Sequence, residues 1–86
     1  MIKNCDLEEI QDNINIILQQ KGLNKELRTF IRKIKEDKPK QLTQEEINFL
    51  EEQSDIYNDK YENYIYLLEI SESINDIKTI YKANQY

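Results

Sequence analysis

Apolar residues recur along the first third of the chain at helical intervals: Leu7, Ile10, Ile14 and Ile17, with Leu18 beside them, share one side of a helical wheel. Asp6-x-x-Glu9 reads as an N-cap and capping-box pair at the start of this helix. Gly22 reads as its left-handed C′ residue, with Leu23 making the apolar contact that accompanies such a stop. A second periodic run, Leu27, Phe30, Ile31 and Ile34, starts behind Asn24 as N-cap and ends at Asp37-Lys38-Pro39, where proline cannot continue a helix. The connection between the two runs is so short that they should fold as an antiparallel hairpin.

The third start is the clearest. Thr43-x-x-Glu46 forms a capping box, and Leu42 and Ile47 stand where a hydrophobic staple needs them. From there to Tyr81 the chain has neither Gly nor Pro, and two apolar lines alternate at three and four residues. One is Ile47, Leu50, Ser54, Tyr57, Tyr61, Tyr64 and Leu68; the other is Leu67, Ile70, Ile74, Ile77 and Tyr81. They lie roughly 140° apart on a wheel of about 100° per residue, so one helix would have to bury two faces.

Two architectures meet that demand. An unbroken third helix from Gln44 to Lys82, about 58 Å long against roughly 20 to 25 Å for each of the first two, would project and pair its distal half with another chain. Alternatively the helix breaks near Ser54-Asp55 or Ser71-Glu72-Ser73 and folds back into a four-helix bundle. The absence of Gly and Pro favours the long helix, straight or kinked, because Ser and Asp are tolerated on exposed helix faces. The expected fold is therefore an all-α single domain spanning 1–86, a small helical bundle of hairpin plus long third helix. In it Leu67, Ile70, Ile74, Ile77 and Tyr81 form a seam for self-association, as in a homodimer or a structural oligomerisation module.

Composition agrees with helices. Of 86 residues 38% are hydrophobic and 34% charged, with one Gly and one Pro, too apolar for disorder and too poor in turn formers for a many-stranded fold. A chain of this length buries only about 60% of its unfolded surface, which leaves a thin core. No run approaches the roughly 18 apolar residues of a membrane span, and the opening residues do not lead into a signal-peptide core, so a cytoplasmic protein without a membrane partner is expected. Cys5 is the only cysteine, consistent with a reducing compartment. Abundant Ile, Lys, Asn and Tyr beside only two arginines is the usage of an AT-rich coding sequence, which points to a low-GC bacterium or one of its phages or plasmids.

The net charge of −5 is unevenly spread. Lys21 to Lys40 holds eight basic residues against three acidic ones, while Gln41 to Asp76 holds ten acidic residues against Lys60. On the second helix Lys25, Arg28, Arg32 and Lys35 fall within an arc of about 80°, a stripe able to follow phosphates or clamp carboxylates. On the third, Glu51, Glu52, Asp55, Asp59 and Glu62 gather opposite the Ile47 line, with Tyr66 on the same side as an exposed anchor. Rows of this kind let small phage and plasmid inhibitors imitate phosphates in the electropositive channel of a nucleic-acid enzyme.

Catalytic equipment is sparse. Without histidine the commonest general base, metal ligand and nucleophile activator are missing, and a single glycine cannot build a phosphate-cradling loop. Carboxylate pairs such as Asp55 and Asp59, or Asp59 and Glu62, would hold a divalent ion only if several converged from different helices. No enzyme activity, cofactor or metal is therefore expected. The leading expectation is a non-enzymatic helical protein that binds another protein through its acidic, Tyr-bearing face, in the manner of a phage or mobile-element inhibitor or accessory protein. The alternative is a nucleic-acid-binding or antitoxin-type regulator that uses the basic second helix.

Overall fold

The computed structural model describes residues 2–60 and 68–84. These form four helices, α1 (Asn4–Leu18), α2 (Lys25–Asp37), α3 (Gln44–Lys60) and α4 (Leu68–Ala83), and no strand. The all-helical expectation holds, but the long third helix does not. The largest extent of the molecule is 37 Å, well short of what a continuous Gln44 to Lys82 helix requires, and α4 packs along α3.

Energy decides this. Ile70, Ile74, Ile77 and Tyr81 are each fully buried in the core with Ile47, Leu50 and Tyr57 of α3 and Ile10, Ile14 and Ile17 of α1. At about 1.5 to 3 kcal/mol per buried side chain, those four residues contribute on the order of 6 to 12 kcal/mol. Starting a new helix costs about 4 kcal/mol for a nucleation constant of about 10⁻³. Fold-back therefore wins although no Gly or Pro marks it, and both apolar lines are covered within one chain.

Neither serine site breaks a helix. Ser54 and Ser71 instead meet across the α3–α4 interface, where Ser71 Oγ donates to the Ser54 carbonyl at 2.9 Å, and the two hydroxyl oxygens stand 3.1 Å apart. Only a side chain as short as serine lets a hydroxyl reach the facing helix's backbone while satisfying itself in a buried setting.

Helix ends show which local signals operate. The box at Thr43 is formed in both directions: Thr43 Oγ1 accepts the Glu46 N–H at 3.1 Å, and Glu46 Oε1 accepts the Thr43 N–H at 2.9 Å. Leu42 and Ile47, the staple pair, are both buried. Asn24 caps α2 as expected, its Oδ1 accepting the Leu27 N–H at 2.7 Å. The start of α1 lies upstream of Asp6. Lys3 is the N-cap, and Asp6 is the third helical residue, with its carboxylate reaching back to the Lys3 N–H at 3.4 Å. Ile2 is buried in the core, so N′ and N4 are Ile2 and Leu7, a staple that fixes the earlier start.

Gly22 does not take the left-handed conformation; among the described residues that conformation occurs at Lys38, with φ 46° and ψ 54°, as the C-cap of α2. The chain leaves α1 through a tighter bond, from the Gln20 N–H to the Ile17 carbonyl. It leaves α2 by bending at Lys38 directly before Pro39.

In space α4 packs against both α1 and α3, and α2 packs against α1 with Leu27, Ile31 and Ile34 in the shared core. α2 and α3 meet chiefly through side chains, the Phe30 and Phe49 rings standing 4.9 Å apart at 49°. The α3–α4 and α1–α4 seams are thus the extensive ones, the α1–α2 seam is slighter, and α2 and α3 meet least.

The Tyr81 hydroxyl donates to the Pro39 carbonyl at 2.8 Å. Burial, and secondarily the negative charge of Glu46, pushes its pKa up to about 12. Between pH 10 and about 12 the unfolded chain ionises Tyr81 while the folded chain retains the proton, so stability present below pH 10 declines as pH rises through this window. Urea titrations over that range should show the decline, and Tyr81→Phe should flatten it. Lys38→Gly should raise unfolding stability by about 0.5 to 1 kcal/mol in urea, because relief of left-handed strain outweighs glycine's added chain entropy.

Candidate functional site

α3 presents two different faces. Ile47, Leu50, Gln53, Ser54 and Tyr57 are buried, while Glu51, Glu52, Asp55 and Asp59 are exposed on the opposite side. Four of the carboxylates expected on one surface therefore do share it; Glu62 and Tyr66 lie outside the described residues. So do Tyr61, Tyr64 and Leu67 of the two apolar lines.

The polar residues on the inner face are structural. Tyr57 is 2% exposed, and its hydroxyl accepts the Asn24 N–H at 2.7 Å while donating to the Gly22 carbonyl at 3.2 Å. Gln53, one turn earlier, accepts from Asn24 Nδ2 at 2.8 Å. Asn24 thus caps α2 with one side-chain atom and holds α3 with the other. This ties the outward carboxylates to a rigid frame.

Along one edge of the acidic face Phe49 and Ile56 stand two turns apart, with Glu52 between them. Ile56 is 42% exposed, among the largest exposures of any large apolar side chain described. Phe49 meets Phe30 of α2 in the α2–α3 seam, where an open groove of about 480 Å³ is lined by both rings, Lys25, Glu26, Thr29 and Lys33. Phe49 and Ile56 belong to neither apolar line of the sequence, and that departure from the core pattern is the signal that could have singled them out.

The basic stripe is divided by the fold. Lys25 lines the phenylalanine groove, whereas Arg32 and Lys35 line a cleft on the α1 side, and Arg28 is partly buried. The seam assigned to self-association is spent inside the monomer: Ile70, Ile74, Ile77 and Tyr81 have no exposed surface left for a second copy. The reason is the fold-back of α4, and any dimer would have to use another face. Among the described residues no group of three or more His, Cys, Asp or Glu side chains is placed to hold a metal ion, and no helix is long and apolar enough to cross a membrane. Cys5 is exposed at the start of α1.

No protein-family model matches the chain, and no curated protein or solved structure is significantly similar to it.

The Tyr57 bonds give a direct test of the frame. Tyr57→Phe removes the bonds to the Asn24 N–H and the Gly22 carbonyl and should cost about 1 to 2 kcal/mol. In a domain of this size thermal unfolding should then move down by about 4 to 8 °C per kcal/mol. An unchanged midpoint would show that the α1–α2 connection does not depend on α3.

Proposed function

We propose that this chain is a non-enzymatic helical protein that binds another protein through the α2–α3 side of the bundle. The observation that carries the reading is the Phe30–Phe49 pair at 4.9 Å in an open groove, next to an exposed Ile56 and the carboxylates of α3. Aromatic and aliphatic anchors bordered by charge are the anatomy of an interface, in which the apolar centre supplies affinity and the charged rim supplies orientation and rate. An isolated solvated helix face has no use for half-buried rings at its edge.

The row Glu51, Glu52, Asp55 and Asp59 suits an electropositive partner surface, such as the channel of a nucleic-acid enzyme, with the carboxylates standing where phosphates would lie. Small inhibitors and accessory proteins of phages and mobile elements work in this way, and the AT-rich residue usage fits such a source. A cytoplasmic setting goes with that reading. The seam that would have supported an oligomerisation module is occupied by the core, which weighs toward a different partner.

Affinity capture from cells, followed by kinetics on the captured protein, tests the proposal. Changing Glu52, Asp55 and Asp59 together to Lys should abolish binding with helicity intact, since exposed charges contribute little to folding and much to recognition. Phe49→Ala should accelerate dissociation, and association of the wild type should slow as salt rises because the Debye length is about 10 Å at 0.1 M. A partner that tolerates all four changes would move the interface off α3.

A further inference from the structure

The seam between α1 and α2 holds a second cleft, of about 660 Å³, lined by Gln11 and Leu18 of α1 and by Arg32, Lys35, Glu36 and Lys38. Three features set it apart. Gln11 Nε2 is buried without a hydrogen-bond partner, the one such side-chain nitrogen or oxygen among the described residues. A buried donor left in this state costs stability, a cost removed when the Gln11 side chain turns into the cleft and finds an acceptor there. Lys38, at the same end of the cleft, is the residue held in the left-handed conformation. That conformation ends α2, and Lys38 lines the cleft beside Gln11. Finally, three cations face one carboxylate, Glu36, a net of two positive charges, and among the described residues no ion pair occupies Arg32, Lys35 or Lys38.

We infer that this cleft binds a phosphomonoester, its phosphate received by Arg32, Lys35, Lys38 and the Gln11 amide and its organic part lying along Leu18. Arg32, Lys35 and Lys38 at the phosphate end are donors alone and the Gln11 amide nitrogen is a further donor, while the ionised oxygens of a phosphate offer acceptors alone. A phosphomonoester carries about −1.5 to −2 at neutral pH, which matches the local excess of positive charge. Gln11 and Leu18 are seven residues apart on α1, about 10 Å, so the cleft has room for more than an inorganic ion. The volume lies in the range of small-ligand sites.

The neighbouring depression limits the ligand in the other direction. It shares Gln11 and Lys38 but is lined also by Glu8 and Asp12, so a polyphosphate or a nucleic-acid strand continuing past Gln11 would run into two carboxylates. A single terminal phosphate stops short of them. The site stands apart from the α2–α3 groove and does not depend on how that groove is used.

Two-dimensional NMR of the whole chain, titrated with phenyl phosphate, inorganic phosphate, phenol and a short DNA duplex in turn, tests the assignment. Phenyl phosphate should shift the Gln11 side-chain amide and the resonances of Arg32, Lys35 and Lys38, saturably, and phenol alone should not. Inorganic phosphate acting on the same amide would identify the phosphate as the recognised group, and tighter binding of the ester would place its ring at Leu18. Arg32→Gln and Gln11→Leu should each weaken phenyl phosphate binding by about tenfold, while Gln11→Leu leaves the fold intact or more stable because the orphan donor is gone. No saturable shift at millimolar phenyl phosphate, or shifts that both variants leave unchanged, would overturn the proposal. So would duplex DNA binding that depends on Lys25 and Arg28 as much as on Arg32, since that is a strand tracking α2 and not a phosphate in a cleft.

Discussion

Everything in this fold depends on covering the row Ile70, Ile74, Ile77 and Tyr81. Those side chains retain no exposed surface because α4 packs against both α1 and α3, and the same packing covers Ile10, Ile14 and Ile17 on one side and Ile47, Leu50 and Tyr57 on the other. A chain this short has little apolar surface to spare. With α4 so placed, α2 is left with α1 as its main neighbour and reaches α3 only through side chains, so the open groove at Phe30 and Phe49 follows from the packing order.

The two tyrosine hydroxyls complete what burial begins. Tyr57 of α3 is bonded to the Gly22 carbonyl and the Asn24 N–H in the connection between α1 and α2, and Tyr81 of α4 to the Pro39 carbonyl in the connection between α2 and α3. Each ring fills core volume while its hydroxyl satisfies backbone groups that a loop would otherwise leave to water. Leucine could supply the volume but would leave the loops untied. This accounts for tyrosine at positions where bundles more often carry aliphatic residues, and it gives α2 a fixed place despite its sparse contact with α3.

Much of this is legible in the chain alone, and the limits are physical. Thr43 with Glu46, Leu42 with Ile47, and Asn24 as a cap are local signals whose energies do not depend on the rest of the fold, and each is found as read. Asp6 and Gly22 are local signals too, yet both are overridden, Asp6 because Ile2 has core to reach and Gly22 because α1 ends at Leu18 with Gln19 as its C-cap, three residues before the glycine. The division of Gln44 to Lys82 into two helices was not legible, since the sequence shows two apolar lines but not which of them a neighbour will cover. Of the surface, the exposure of Glu51, Glu52, Asp55 and Asp59 followed from their opposition to the Ile47 line. Phe49 and Ile56 depart from that line, so periodicity alone does not single them out. The cleft at Gln11 needs two helices brought together, and no single-helix wheel contains it.

The fold also separates what the charge pattern merely lists. Basic and acidic blocks that follow one another in the chain become two sides of one bundle: Arg32, Lys35 and Lys38 on the seam with α1, and Glu51, Glu52, Asp55 and Asp59 on the outer face of α3. Because α2 contributes to both the cleft and the phenylalanine groove, Lys25 and Lys33 stand between these fields, on the rim of the aromatic pair. On the proposed reading, a partner would set positive charge against the carboxylates of α3 and neutral or negative surface against the α2 lysines, so the two fields would fix the orientation in which the aromatic pair is reached. Steering of this sort requires a rigid separation of the two fields. Asn24, bonded to Tyr57 and Gln53 of α3 while it caps α2, is the residue that maintains it.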